Sequence, residues 1–106
     1  MIEVREYVEP GGRSPFTRWL SALNVQAAAK VTTALERIAD GNLSSVKSVG
    51  AGVLEYKIDF GSGYRIYFGR DGDRLVILLG GGAKKRQQHD IQNARASWED
   101  YKRRRI

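Results

Sequence analysis

Six side chains in the second half of the chain are of types that could cleave RNA without a metal ion. In that reaction the RNA 2′-hydroxyl attacks the neighbouring phosphate, so one group must accept a proton, another must stabilise the phosphorane, and a third must protonate the leaving oxygen. Arginine and lysine suit the second task, whereas tyrosine, histidine or a lysine of lowered pKa suits the proton transfers. The candidate catalytic residues are Lys57, Arg65, Tyr67, Lys84, Lys85 and His89.

Each of these residue types also has an ordinary structural use. Arg65 and Asp59 can form a cross-strand ion pair, and Tyr67 can be an aromatic residue on a sheet surface. The basic residues 84–86 can be a solvated start of a helix, although three cations there oppose the helix dipole. His89 can be a solvated side chain. The residue types alone leave both interpretations open.

Positive charge is concentrated at the C-terminal end of the chain. The net charge is +6, from 18 basic and 12 acidic residues. Residues 84–106 contain eight basic and three acidic residues, a net +5. Such a segment suits a polyanion such as RNA, although solubility alone could also explain it. Residues 103–105 are expected to form a frayed tail. The predicted RNA-binding residues are Lys84, Lys85, Arg86, Arg103, Arg104 and Arg105.

The composition excludes several kinds of site. The chain has no cysteine and one histidine, so we expect no disulfide, no thiol nucleophile, no metal site and no cofactor. The phosphate-binding pattern G-x-x-x-x-G-K-[ST] and the nucleophile pattern G-x-S-x-G are absent. No apolar run approaches the roughly 20 residues of a membrane helix, and the acidic N-terminus is unlike a signal peptide. We therefore expect a cytoplasmic protein without a membrane partner.

Hydrophobic periodicity predicts a strand and two helices in the N-terminal half. Alternation over residues 2–8 indicates the strand. A serine followed by proline predicts the N-cap and first position of a helix over residues 15–23. Residues 25–40 have the apolar spacing of a second helix, which should form a helical hairpin with the first. Residues 43–52 are expected to be a loop.

The second half of the chain predicts an antiparallel β-meander followed by a helix. Strands are expected over residues 53–60, 64–69 and 74–79, and the helix over residues 87 to about 104. The predicted fold class is therefore α+β, of order β-α-α-β-β-β with a C-terminal helix, in one domain over residues 1–106. The helical hairpin should pack on one face of a small antiparallel sheet.

Hairpin arithmetic places a polar cluster on the other face of that sheet. A loop over residues 61–63 pairs Asp59 with Arg65. The same register pairs Lys57 with Tyr67, and side-chain alternation then puts all four residues on one face. We expect this face to be open to solvent, so that Arg65 could be replaced without unfolding the domain.

Two stretches resemble a known toxin superfamily. The segment EYKIDFGSGYRIYF, residues 55–68, resembles the central hairpin of the RelE/ParE toxins. The segment VILLGGGAKKRQQHDI, residues 76–91, resembles the HigB-like branch, also called phage-derived addiction-module killer proteins. The N-terminal strand and helical hairpin also fit, so the resemblance covers nearly the whole chain and implies a RelE-like fold.

The resemblance implies the toxin of a type II toxin–antitoxin system. Many members of the superfamily are ribosome-dependent endoribonucleases that cleave mRNA in the decoding site and so inhibit translation, whereas ParE-type members inhibit DNA gyrase. The implied partners are the ribosome, mRNA and an antitoxin, with which the toxin could form a hetero-oligomer. In the HigB-like branch this HigA-like antitoxin carries a helix-turn-helix and represses the shared operon.

The resemblance also implies roles for particular residues. Arg65 matches the family arginine that contacts the scissile phosphate. Lys57 matches a basic residue of the preceding strand. Lys84 or Lys85 occupies the place of the basic residue that follows the last strand.

The proton-transfer group departs from the family pattern. The best-known nuclease branch has a catalytic tyrosine soon after the basic segment, where this chain has His89, and Tyr101 lies much further on. Our hypothesis is that Tyr67 or His89 replaces it. An mRNA endoribonuclease is therefore the first functional hypothesis, a gyrase inhibitor the second, and a basic RNA- or protein-binding domain without activity the third.

Overall fold

The structure, a computed structural model, describes residues 1–105. Five strands and three helices follow one another along the chain, with a short 3₁₀ turn before the last helix. In chain order they are β1 (Glu3–Glu6), α1 (Pro15–Ser21), α2 (Val25–Ala39), β2 (Lys47–Ser48), β3 (Leu54–Ile58), β4 (Tyr64–Arg70), β5 (Leu75–Ala83), the 3₁₀ turn (Lys84–Arg86) and α3 (Gln87–Arg104).

The first two helices begin at side-chain caps. The Ser14 hydroxyl accepts a hydrogen bond from the Thr17 amide at 3.1 Å, which confirms the predicted cap of α1. Asn24 caps α2 in the same way, accepting from the Ala27 amide at 2.8 Å. Gly41 follows the end of α2 with a φ of 82°, a conformation that favours glycine.

The strands form one mixed sheet of order β1-β5-β4-β3-β2, which confirms the predicted α+β fold. β1 pairs with β5 in parallel, and the other three pairings are antiparallel. The helical hairpin between β1 and β3 crosses one face of the sheet and lets these two strands run in the same direction. The two antiparallel pairings that follow give β5 the direction of β1 as well. The two-residue strand β2 lies within the segment that was expected to be a loop.

The β3–β4 hairpin is shifted by two residues from the predicted register. Lys57 pairs with Arg65 and Glu55 pairs with Tyr67, because β3 ends at Ile58 and the connection spans residues 59–63. A shift of two residues keeps each side chain on its predicted face. The expected pairing of Asp59 with Arg65 is therefore wrong, and Glu55 faces the arginine and the tyrosine instead.

The glycine triplet lies inside β5 and does not end it. Tyr67 pairs with Gly80 and Arg65 pairs with Gly82, after an irregularity in the β4–β5 ladder. A Cβ atom on Gly82 would stand 1.9 Å from a carboxylate oxygen of Asp90, and one on Gly81 would stand 2.2 Å from the Trp19 ring. The prediction that the strand stops at residue 79 is wrong because these glycines let helices α1 and α3 approach the strand closely.

Both faces of the sheet are covered. The hairpin of α1 and α2 packs on one face, in a core that includes Phe16, Val31 and Ile38. The C-terminal helix packs on the other face through Ile91 and Trp98. The prediction of an open face is wrong, because β5 is apolar on both sides and each side must be buried.

The end of α3 is held against the rest of the molecule, so the predicted frayed tail is also wrong. The Arg104 guanidinium donates to the Val8 carbonyl and pairs with Asp100. Arg105 pairs with Asp71 at 2.9 Å. Within residues 1–105, no helix is long and apolar enough to cross a membrane, and no group of three potential metal ligands is found.

Candidate functional site

A groove of about 350 Å³ lies where the β3–β4 loop meets the end of β5. Its wall combines basic side chains with the glycine-rich loop, a combination suited to an anionic group. The groove is lined by Lys57, Asp59, Phe60, Gly61, Ser62, Gly63, Arg65 and Lys84.

Three sequence-predicted residues are brought together in this groove. Lys57 and Arg65 are direct neighbours across the β3–β4 ladder. Ala83, at the end of β5, pairs with Tyr64 at the start of β4. Lys84 follows Ala83 directly and therefore lies in the same groove as Lys57 and Arg65. Strand pairing alone therefore gathers cations that are 27 residues apart in sequence from Lys57 to Lys84.

Arg65 differs from the two lysines because it is buried. Its exposed fraction is 6%, yet its side chain reaches the wall of the groove. The Nε atom lies 3.7 Å from Glu55 Oε2. The Nε and Nη1 atoms are buried and have no hydrogen-bond partner among residues 1–105, and Nη1 lies towards Gly63. A guanidinium that lines a groove and has unsatisfied donors is suited to bind an oxyanion.

Glu55 is a buried carboxylate behind the groove, with an exposed fraction of 2%. It accepts a hydrogen bond from Gln87 Nε2 at 2.9 Å and lies 3.7 Å from Lys47 Nζ. Sequence reasoning missed both Glu55 and Gln87. Alternation along β3 does place Glu55 on the face of Lys57, but on a face expected to be open a glutamate carries little information.

Asp59 supplies the carboxylate that lines the groove. Its side chain is 90% exposed and lies 3.7 Å from Lys57 Nζ. Sequence reasoning placed Asp59 in the polar cluster but assigned it only an ion pair with Arg65. As the carboxylate among the groove-lining residues, Asp59 can serve as a proton acceptor at the surface.

Comparison with known proteins identifies the family. Residues 18–100 match the family model described as "Phage derived protein Gp49-like (DUF891)". The chain belongs to this family. It is a family of RelE/toxin-like proteins, which agrees with the resemblance to the toxin superfamily at that level.

A relative from Haemophilus influenzae, described as an uncharacterized protein, is 44% identical over 81 residues. The match covers 76% of this chain and 82% of the relative. Family and relative therefore support a toxin-like protein in general, and they specify neither a nuclease activity, nor a ribosomal target, nor the HigB-like branch.

In this Gp49-like protein Tyr67 lies beneath α3 and outside the groove. Its side chain is fully buried, and its hydroxyl has no hydrogen-bond partner within the described residues. Burial raises the pKa of Tyr67 far above its ordinary value, and the negative charge of Glu55 raises this pKa further. The hydroxyl is therefore neutral and shielded from solvent.

The other predicted residues of the Gp49-like protein lie around or beyond the groove. Lys85 and Arg86 line a separate depression with Trp19 and Asp90. His89 is exposed on the first turn of α3, with its Nε2 atom 3.1 Å from the side-chain amide of Asn93. The predicted RNA-binding residues 103–105 lie at the far end of α3, which at 18 residues is about 27 Å long.

Proposed function

We propose that this protein is the toxin of a type II toxin–antitoxin module and that it cleaves mRNA on the ribosome without a metal ion. The observation that supports this proposal is the groove that Lys57, Lys84 and Arg65 line together, with unsatisfied donors on the Arg65 guanidinium. Membership of a toxin-like family supports the first part of the proposal. The nuclease activity rests on the chemistry of the groove.

The scissile phosphate would occupy the groove with a non-bridging oxygen at the Arg65 guanidinium. Attack by the RNA 2′-hydroxyl forms a bond to phosphorus while the bond to the 5′-oxygen breaks. Asp59 accepts the proton of the 2′-hydroxyl, and Lys84 donates one to the departing 5′-oxygen. Lys57 and Arg65 stabilise the negative phosphorane. The products are a 2′,3′-cyclic phosphate and a 5′-hydroxyl end.

Neither Tyr67 nor His89 lines the groove, so the hypothesis that one of them transfers the protons requires a contact with RNA outside it. Tyr67 would have to leave the core beneath α3 to reach RNA, which its burial opposes. His89 is exposed, but it lines a depression with residues 84–88 rather than the groove itself. A substrate that extends from the groove across the start of α3 would bring His89 near the RNA.

The proposed partners follow from this target. The protein would act in the cytoplasm on mRNA bound to the ribosome, and a HigA-like helix-turn-helix antitoxin would neutralise it in a hetero-oligomer. Residues 84–86 remain the proposed contacts to RNA outside the groove. The proposed contact of residues 103–105 with RNA would compete with their ion pairs to Asp100 and Asp71.

A ParE-like inhibitor of DNA gyrase is the second candidate. One observation favours it: among the groove-lining residues that the structure describes there is no tyrosine or histidine. In that case the cationic groove would serve binding and not proton transfer. A binding domain without activity shares this feature and differs by causing no growth arrest.

Inducible expression in bacteria, followed by mapping of mRNA 5′ ends, distinguishes these functions. Lys57→Ala and Lys84→Ala test the groove, and Arg37→Ala, an exposed change on α2, is the matched control. New ends inside translated reading frames, lost in both groove variants and kept in the control, support the nuclease. Growth arrest without such ends moves the assignment to gyrase, and no arrest leaves a binding domain.

A further inference from the structure

The carboxylate of Glu55 has an environment that apolar packing does not require. Burying a carboxylate is costly unless charged and hydrogen-bonding partners compensate. Glu55 has such partners from three elements: Lys47 on β2, Arg65 on β4 and Gln87 on α3. Three segments that are distant in sequence therefore contact the Glu55 carboxylate, which lies behind the groove.

The two ends of the Arg65 guanidinium have different surroundings. Its Nε atom faces Glu55 at 3.7 Å, while its Nη1 atom is turned towards the Gly63 side of the groove. A guanidinium is planar and rigid, so a negative charge at one edge determines where the other edge points. At 3.7 Å this ion pair is longer than a hydrogen bond, so Glu55 attracts the guanidinium by its charge and leaves the donors Nε and Nη1 unsatisfied.

We propose that Glu55 is a positioning residue, which orients Arg65 towards the phosphate and is itself held by Gln87 at the start of α3. This inference rests on the proposed function of the groove as a phosphate site. Glu55 touches no substrate in this scheme. It acts because its charge fixes the guanidinium before the substrate arrives, so that no reorganisation is needed during the reaction.

Glu55→Gln is the decisive variant because it keeps the size of the side chain and removes its charge. A displacement of about 1 Å in a catalytic group costs on the order of 100-fold in rate. We expect kcat for RNA cleavage to fall roughly 10- to 100-fold, with a change in KM of less than about 3-fold. Glu36→Gln, an exposed change on α2, should leave both constants unchanged.

Gln87→Ala provides a second variant that does not disturb the buried charge. Gln87 is half-buried at the surface end of α3, so its loss should not prevent folding. The Glu55–Arg65 pair remains in this variant but loses its support from α3. We expect a decrease in kcat that is smaller than that of Glu55→Gln and in the same direction.

Two further measurements separate this inference from the proposed nuclease. The first is binding of a single-stranded RNA with 2′-O-methyl groups throughout, which cannot undergo 2′-hydroxyl attack. The second is the ¹⁵Nε–¹Hε NMR signal of Arg65. We expect the RNA to shift this signal in the wild-type protein, and we expect Glu55→Gln to broaden it and to weaken the RNA-induced shift.

The outcomes are distinct. If Glu55→Gln lowers only the melting temperature, while kcat per folded molecule and the Arg65 signal stay unchanged, then Glu55 is purely structural and the inference is overturned. If the wild-type protein does not cleave RNA but the RNA-induced shift is present and depends on Glu55, positioning stands and the nuclease proposal fails. If RNA does not shift the wild-type signal and the wild-type protein does not cleave mRNA on translating ribosomes, the groove is not a phosphate site and both fail.

Discussion

The guanidinium of Arg65 combines a structural and a chemical task in one side chain. Its Nε atom faces the buried carboxylate of Glu55, and the same side chain lines the groove. Lys57 and Lys84 stand at the same groove without a comparable structural task, because their side chains are exposed. Replacement of the arginine and of the lysines should therefore have different consequences.

Removing Arg65 should destabilise the protein. Arg65→Ala leaves the Glu55 carboxylate buried beside only Gln87 and Lys47, and breaking a buried ion pair in this way costs about 3 kcal/mol or more. Chemical denaturation should show this loss in the free energy of unfolding. A loss of cleavage in this variant could therefore result from unfolding and does not by itself show a catalytic role of Arg65. An unchanged free energy of unfolding would show that the Arg65–Glu55 pair contributes nothing to folding.

Removing either lysine should affect activity and leave stability intact. Loss of a preorganised charge, the role of Lys57, or of a positioned proton donor, the role of Lys84, costs on the order of 100-fold in rate. Lys57→Ala and Lys84→Ala should each lower the rate of mRNA cleavage by about that factor, measured as the first-order rate on translating ribosomes. Their melting temperatures should match that of the Arg37→Ala control. Full activity in both variants would place the chemistry elsewhere.

Tyr67 offers a test of the proton-transfer hypothesis at a buried position. Its hydroxyl is buried without a hydrogen-bond partner in the described structure, a condition that costs about 1–3 kcal/mol. Tyr67→Phe should therefore keep or raise the free energy of unfolding. We expect cleavage to continue in this variant, whereas a loss of cleavage at unchanged stability would show that the tyrosine reaches the RNA. His89→Ala is the companion test at the exposed position.

At the scale of elements, close approach to glycine fixes where α3 lies on the sheet. The Trp98 ring rests on Gly69 of β4, where a Cβ atom would stand 2.6 Å from the ring. Gly69→Ala should therefore lower the free energy of unfolding by about 1–3 kcal/mol through overpacking. Gly11→Ala is the matched control because nothing lies within 4 Å of its added atom. Equal stability of the two variants would show that α3 can shift freely on the sheet.

The last turns of α3 are joined to the sheet by two tyrosine–aspartate hydrogen bonds. The Tyr7 hydroxyl donates to Asp100 at 2.6 Å, and the Tyr101 hydroxyl donates to Asp71 at 2.7 Å. These hydrogen bonds are the main cause that lowers the pKa of each aspartate below its ordinary value. The stabilisation is therefore present above about pH 4 and is lost as pH falls through the lowered pKa values.

Acid unfolding should reveal these contacts. The double variant Asp71→Asn, Asp100→Asn should be less stable than the wild-type protein near neutral pH, and its stability should fall less between about pH 6 and about pH 3. Thermal unfolding across this range measures the difference. Asp73→Asn, at an exposed position in the same loop as Asp71, should behave as the wild type. A double variant with the wild-type pH dependence would contradict the linkage.

At the scale of the whole molecule, the basic residues behind the net charge of +6 are not equally free to bind an anion. Three groove cations face a potential anion, whereas the arginines at residues 103–105 are engaged in ion pairs with Asp100 and Asp71. With Lys85 and Arg86, the proposed contacts outside the groove, we therefore expect about five cations to contact RNA phosphates. For single-stranded RNA this predicts a slope of log affinity against log salt near −3.5, or a decrease of about 100-fold between about 50 and 200 mM salt.

Lys84→Ala should reduce the magnitude of that slope by about 0.7, and Arg103→Ala should leave it nearly unchanged. Fluorescence titration with 2′-O-methyl RNA at several salt concentrations measures both. Equal effects of the two substitutions would show that the C-terminal arginines leave their carboxylate partners when RNA binds. That result would support the predicted RNA-binding role of residues 103–105.

Local sequence patterns predicted the three helices and the four main strands correctly. The period of the apolar residues indicates each helix and the four main strands, because amphipathic faces repeat with the geometry of the backbone. The serine and proline before α1 identify its start for an equally local reason. Alternation along β3 and β4 also kept Lys57 and Arg65 on one face, even though the predicted register was shifted by two residues.

Only the tertiary structure decided which of these residues are accessible. The helix α3 covers the face that was expected to be open, and Gln87 meets Glu55 across 32 residues of sequence. The glycines of β5, which resemble a strand end, instead admit Trp19 and Asp90. Such contacts join segments that no local pattern relates. Arg65, expected on an open surface, is therefore buried, because burial depends on what packs above a residue and not on the period of its own strand.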